Sequence, residues 1–261
     1  MSCDLPLTPT LSPQAGRGSS QSPSPRVSGE REGPAQREGE GQRPFVVAID
    51  GPAASGKGTL ARRLAERFGL AHLDTGALYR ATARLVLDEN GDPGDPAAAE
   101  TAARRVDPQL LADPRLRADA VAAAASVVAA IAEVRRALLG LQRDFAAHPP
   151  AAARGAVLDG RDIGTVVCPG ADVKLFVTAG TETRAARRVK ELREQGTPAI
   201  YDNVLQDLNE RDARDSGRRA APLKAAPDAI ILDTTTLDAD VVFERACALV
   251  ARALKEKEWQ Q

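Results

Sequence analysis

The sequence predicts an α/β fold in which a five-stranded parallel sheet carries helices on both faces. Five short apolar runs alternate with segments of helical pattern, the order that builds parallel strands joined by crossover helices. A glycine-rich loop, "GPAASGK", joins the first run directly to the first helical segment. Hydrophobic residues make up 43% of the 261 but aromatics only 3%, so the core that closes the fold has to be aliphatic.

Phe45 to Ile49 reads as a buried strand. Lys57 to Phe68 reads as a helix, with Leu60, Leu64 and Phe68 four residues apart on one face. Ala71 to Leu73 is a short second strand. "TGALYRATARLVLDEN" is a helix that ends near Asn90-Gly91, with Pro93 beyond, and "PAAAETAARRV" is a further short helix. Residues 118–147 are alanine-rich and helical by propensity, as one long helix or two, until Pro149-Pro150 end the run. "GAVLDG" and "DVKLFVT" are the third and fourth strands. Thr181 to Glu194 is a helix expected to open on a polar cap and a glutamate. "YDNVLQDLNERDARD" is helical, "DAIILDT" is the fifth strand, and Asp238 to Lys255 is a closing amphipathic helix. Open α/β sheets bind ligands beyond the carboxyl ends of their strands. The loops after Ile49, Leu73, Leu158 and Val177 are therefore expected on one side.

A net charge of -1 gives no bulk attraction to nucleic acid or anionic membrane. Work on phosphates has to come from local clusters among the twenty-nine arginines and six lysines. Cys3, Cys168 and Cys247 form no paired motif, which points to a reduced, cytoplasmic setting. His72 and His148 are too few for a histidine-rich metal centre and read as structural or surface residues. No apolar run approaches the roughly 20 residues that span a bilayer.

Residues 1–43 are rich in Pro, Gly, Ser, Arg, Glu and Gln and cannot offset their ordering entropy by burial. They are expected to be a disordered, dispensable N-terminal extension. They have neither the apolar stretch of a secretory signal nor the acid-poor composition of a transit peptide. Met1 is the only methionine, so a start nearer Pro44 requires a valine or leucine codon; a start read too early is the expectation, and mass spectrometry of the N-terminus tests it.

Gly51-x4-Gly56-Lys57 matches the first seven positions of a P-loop. Glycines let backbone N–H groups turn towards phosphate oxygens, the following helix points its positive end there, and Lys57 adds a full charge. The strict pattern has Ser or Thr directly after the lysine; here Gly58 intervenes before Thr59. The bland reading is a glycine turn between strand and helix, which the strand before and the helix after disfavour. With this loop the fold class becomes the three-layer P-loop NTPase type.

Three further stretches pair arginine with carboxylate: "DTGALYR" with Thr75 and Arg80, "DGRDIGT" with Asp159, Arg161 and Asp162, and "NERDARDSGR" with Arg211, Arg214, Asp215 and Arg218. Arginine grips phosphate bidentately, and carboxylates hold sugar hydroxyls or base amino groups. Surface ion pairs are the competing reading, strongest for "NERDARD".

Together these stretches resemble the bacterial cytidylate kinases, the CMP kinase family of nucleoside monophosphate kinases. The resemblance runs through "IDGPAASGKGT", "LDTGALYR", "AAAASVVAAIAEVRRALLGLQRDFA", "VLDGRDIGTVVCPGADVKLFVTA" and "ERDARDSGRRAAPLKAAPDAIILDTTTL", most of residues 45–250. It implies a kinase domain over residues 44–261, with a core of 44–81, 151–192 and 209–261, a helical acceptor-binding insert at 82–150 and a short lid at about 193–208. It implies transfer of the γ-phosphoryl of ATP, with Mg2+, to CMP or dCMP. Gly51 and the loop from Ser55 through Gly56, Lys57 and Gly58 to Thr59 would hold the ATP phosphates. Arg80, Arg161 and Arg218 would grip the CMP phosphate, beside Thr75. Ser126, Arg135 and Asp162 would read cytosine, and Arg211 and Asp215 would face the ribose. Lys57, Asp159, Arg161 and Arg211 are the catalytic candidates, while Arg184 and Arg187 or Arg188 would lie near the lid. No protein-held metal site, nucleic-acid partner or membrane is implied, and a monomer is expected. The insert looks shortened, and the N-terminal extension is foreign to the family. Another P-loop small-molecule kinase, a non-catalytic ATP-binding switch and a nucleic-acid-binding protein are the alternatives. The base-reading trio, the intact Lys57, and the neutral charge with few aromatics count against them in turn.

Overall fold

The structure is a computed structural model, and it describes residues 43–150 and 153–259. The expectations for the N-terminal extension lie outside these residues, apart from Arg43. Arg43 donates to the Gly170 carbonyl (2.5 Å) and pairs with Asp172 (2.7 Å).

Five parallel strands form one sheet in the order β2-β3-β1-β4-β5. They are β1 (Phe45–Asp50), β2 (Ala71–Asp74), β3 (Gly155–Gly160), β4 (Val173–Thr178) and β5 (Ile230–Asp233). Every residue of β1 and β3 is buried, because helices cover both faces of a parallel sheet. Alternation along β1 assigns the faces. Val46 and Ala48 pack with Leu73, Leu158 and the helices of residues 75–147, whereas Phe45, Val47 and Ile49 pack with α1 (Lys57–Phe68) and α8 (Ala239–Trp259). Helix α1 starts at Gly56 and ends at Gly69, both left-handed, and buries Leu60 and Leu64. A third cluster joins α6 (Thr181–Glu194) and α7 (Tyr201–Gly217) through Ala185, Val189, Leu192, Val204 and Leu208.

Between β2 and β3 run α2 (Thr75–Asp88), α3 (Pro96–Arg104), two 3-10 turns, α4 (Asp119–Val128) and α5 (Ala132–Ala147). The alanine-rich stretch is therefore two helices. Their break leaves the Ala129 carbonyl free to accept from Arg135 (3.2 Å) and Arg218 (3.4 Å). One local expectation needs correction. Helix α6 has Gly180 at its N-cap, which has no side chain to cap it, and Thr181, its first residue, accepts from Arg184 instead (2.8 Å). Residues 195–200 join α6 to α7, which begins at Tyr201 as the helical reading of "YDNVLQDLNERDARD" has it. No helix of the described residues is long and apolar enough to cross a membrane.

The sheet centre tolerates no added atom. A Cβ on Gly155 would lie 2.0 Å from the Phe45 carbonyl oxygen of β1, a backbone atom that cannot rotate aside. Gly155→Ala is expected to cost about 3 kcal/mol. Thermal unfolding would show a Tm lower by on the order of 10 °C for a domain of this size. An unchanged Tm would mean that β1 and β3 separate freely.

Candidate active site

The loop after β1 is shaped by backbone demands. A Cβ on Gly51 would sit 2.0 Å from the Val177 carbonyl oxygen, so the loop can cross the end of β4 only there as glycine. Gly56 has φ +90°, in the left-handed region, and turns the chain into α1. The loop is pinned from outside. Thr234 donates its hydroxyl to the Ser55 (3.2 Å) and Thr178 (3.1 Å) carbonyls. Arg184 donates to the carbonyls of Ala53 (3.2 Å) and Ala179 (2.9 Å) and pairs with Asp212 (2.6 Å). Lys57 reaches back to the Pro52 carbonyl (3.3 Å). Burial, then the charge of Arg161, pulls its ammonium down to about 7.

A cavity of about 240 Å3 opens beside Lys57 and Gly58. It gathers Thr75, Arg80, Ser126, Arg135, Asp159, Arg161, Asp162, Arg211, Asp215 and Arg218, so the acceptor-site residues expected from sequence meet at one place. They come from the end of β3 and the turn after it, and from α2, α4, α5 and α7 with its C-cap Arg218. At one end Arg135 pairs with Asp162 (2.5 Å), both buried, and its guanidinium lies 5.3 Å over the Tyr79 ring. Burial opposes the charge on Arg135, yet Tyr79 and Asp162 raise its pKa above the ordinary value. The Ser126 hydroxyl accepts from Arg214 (3.2 Å).

The other end is cationic. Arg80 pairs with Asp74 (2.6 Å), and Arg161 pairs with Asp215 (2.8 Å). Against a burial penalty, Arg161 and Arg218 hold Asp215 below the usual carboxylate range. Arg211 Nε and Arg218 Nη2 are buried without a hydrogen-bond partner. Burial, followed by Arg161, lowers Arg211 to about 10. Arg218 Nη2 lies 3.6 Å from Asp215, too long for a hydrogen bond, and buried guanidinium donors without a hydrogen bond beside a cavity are matched by an anion with several acceptor oxygens. The ion-pair reading of "NERDARD" fails here, since Arg211 and Asp215 turn inward; only Arg214, near Glu210 (3.9 Å), keeps a partner of that kind.

Ser55, Gly56 and Thr59 do not line this cavity. They line a second one of about 370 Å3, with Arg63, Arg187, Leu237 and Val242, so the loop forms a wall between two spaces. Gly51 lines neither. Arg184 is locked in the framework, Arg187 is tied to the Thr234 carbonyl (2.6 Å), and Arg188 bridges to Asp119 of α4 (2.9 Å).

Sequence reasoning missed several partners. His72 on β2, half-buried, bonds the Asp159 carboxylate (2.7 Å), a partner that the structural reading of this histidine did not name, whereas the His148 side chain is exposed. Asp74 and Tyr79 also line the cavity. The "LDTGALYR" stretch held a signal for both: a strand end followed by a helix places Asp74 and Tyr79 beside Arg80. Nothing in the sequence spacing links His72 to Asp159, 87 residues away.

The cytidylate kinase family model matches residues 47–252. A curated cytidylate kinase of Rhodospirillum rubrum is 58% identical over 207 residues, covering 79% of this chain and 97% of that protein. Those of Paramagnetospirillum magneticum and Methylocella silvestris are 58% identical over 205 and 209 residues, covering 78% and 80% of this chain and 97% and 95% of theirs. With a match over most of its length and an arginine-lined cavity facing a phosphate loop, the chain belongs to the cytidylate kinase family.

Proposed function

We propose that the chain transfers the γ-phosphoryl of ATP to CMP or dCMP, giving ADP with CDP or dCDP. The observation that carries this reading is the cavity itself: unpartnered arginine donors at one end, a buried Arg135–Asp162 pair at the other, and Lys57 at its mouth. Arg80, Arg161 and Arg218 hold the acceptor phosphate, and Arg211 and Asp215 face the ribose. Cytosine offers an amino donor at N4 and acceptors at N3 and O2. Asp162 accepts from the amino group, Arg135 donates to the ring, and Ser126 supplies a hydroxyl. Uracil carries an oxygen at position 4, which would face the carboxylate and leave a buried polar group unpaired.

ATP lies along the loop on the Ser55, Gly56 and Thr59 side, with its phosphates towards Lys57. The buried, unpartnered Ser55 hydroxyl fits an added acceptor. Among the described residues no three Asp, Glu, His or Cys side chains cluster as a metal cage. That suits Mg2+, which takes one or two carboxylates besides substrate phosphates and water. Asp159 is the carboxylate beside the loop that would hold it, and the ion would neutralise phosphate charge. Lys57, Arg161 and Arg211 surround the transferred group and stabilise the charge that spreads over it. Residues 82–150 and about 193–208 are the parts that close over the substrates and exclude water. We place the enzyme in the cytoplasm as a monomer.

The test is ADP release with ATP–Mg2+ against CMP, dCMP, UMP, AMP and shikimate, for the full chain and for a chain starting at Arg43. Turnover with CMP and dCMP, weak with UMP, and equal in both chains is the expected result. ATP binding without turnover of any nucleotide would leave only an ATP-binding switch.

A further inference from the structure

We propose that Asp50 is a positioning residue for base recognition, capping in trans the turn that carries Arg161 and Asp162. This inference rests on the acceptor roles proposed above. Residues Ile163–Val167 form a π-helical turn, and Asp162 stands at its N-cap position. The first N–H groups of such a turn have no partner within it, and an aspartate at the N-cap normally accepts from them. Asp162 makes no such bond, because its carboxylate is committed to Arg135 across the cavity. Asp50, the last residue of β1, takes its place. One carboxylate oxygen accepts from the Ile163 N–H (2.7 Å) and the other from the Gly164 N–H (2.7 Å). Asp50 is 3% exposed, so no water can replace it from bulk.

Division of labour follows. With Asp50 in place the turn is satisfied and Asp162 is free to face the base. Without it, two buried N–H groups lose their acceptors, and the nearest carboxylate is that of Asp162 itself. Falling back onto its own turn would withdraw Asp162 from Arg135 and from the base. The phosphate loop next to Asp50 does not depend on that carboxylate, since Thr234 and Arg184 hold Ser55 and Ala53 from other elements. The loss therefore falls on the acceptor side alone.

The experiment compares steady-state kinetics of Asp50→Asn and Gly164→Ala with the unsubstituted enzyme, using only the folded fraction of each. The asparagine amide accepts one N–H and confronts the other with its own NH2. A Cβ on Gly164 would stand 3.4 Å from an Asp50 carboxylate oxygen and 3.2 Å from the Lys174 stem, crowding the turn by a few tenths of an ångström while Asp50 keeps its charge. Asp50→Asn is expected to raise KM for CMP by about 10- to 100-fold. Preference for CMP over UMP should fall alongside, with KM for ATP within about twofold of the original. Gly164→Ala should move the same way by a smaller factor, and it decides the matter if Asp50→Asn does not fold. An unchanged KM for CMP, or KM values for CMP and ATP that rise together, would overturn the assignment. If the unsubstituted enzyme did not phosphorylate CMP, the reading of the site would fail first, independently of either variant.

Discussion

Asp162→Asn is expected to abolish most of the preference for CMP over UMP. A site built to bond a polar group rejects the analogue lacking it by roughly 10^4-fold, so the ratio of kcat/KM values should fall by about that factor towards unity. The change is one of donor and acceptor at nearly constant shape. On the proposed reading the carboxylate, 4% exposed, would accept from a base amino group, whereas the amide would place an NH2 there and suit the oxygen of uracil. Arg135 also loses the charge that pairs with it at 2.5 Å. Asp162→Ala would add a folding cost of about 3–5 kcal/mol by leaving that guanidinium buried and unpaired. Kinetics with CMP and UMP on the asparagine variant separate the two effects. A ratio that stays high would place base recognition elsewhere.

Lys57→Met is expected to lower kcat by roughly 10^2- to 10^3-fold, the loss typical of removing one donor from a site of developing charge. The folded protein should become more stable, because its interior disfavours the charged ammonium. The sign follows from linkage. With a folded pKa of about 7 against 10.5 when free, the unfolded chain binds more protons between these values. Lys57 therefore weakens the fold below pH 7, and that penalty is relieved as pH rises towards 10.5. ATP reverses the preference, since its phosphates favour the protonated amine. Binding near pH 7–8 should take up a proton, and ATP affinity should decline as pH rises above 7. Calorimetry in buffers of different ionisation enthalpy reads the uptake directly. Its absence in the unsubstituted enzyme would show that Lys57 does not gain a proton on binding, and its persistence in Lys57→Met would show that another group titrates.

Much of the fold was legible because it is written in local periodicity. Helix α1 carries Leu60 and Leu64 on one face, and the all-apolar run Phe45–Ile49 can only be a strand covered on both sides. The first three motif-bearing loops could be assigned to one edge of the sheet because parallel strands share a direction. Helix ends were less legible. Polar Thr181 looked like a cap, but Arg184 claims its hydroxyl from within the same helix. The two-helix break at 129–131 has no proline or glycine to announce it, and it frees the Ala129 carbonyl to accept from Arg135 and Arg218, both distant in sequence or separated by a turn.

By itself the sequence determined the class of the protein, the glycine-rich loop and most of the residues that line the cavity beside it. Those depend on residue types at fixed spacing and on strand order. Tertiary structure alone decided the pairings: His72 with Asp159, Asp74 with Arg80, Arg161 with Asp215, and Asp50 with the turn that follows Asp162. It also decided which faces of the loop look into which cavity. Short-range backbone preferences are written residue by residue, but a buried charge is satisfied by whichever element packs against it, and that partner can lie more than a hundred residues away, as Asp50 lies from Ile163.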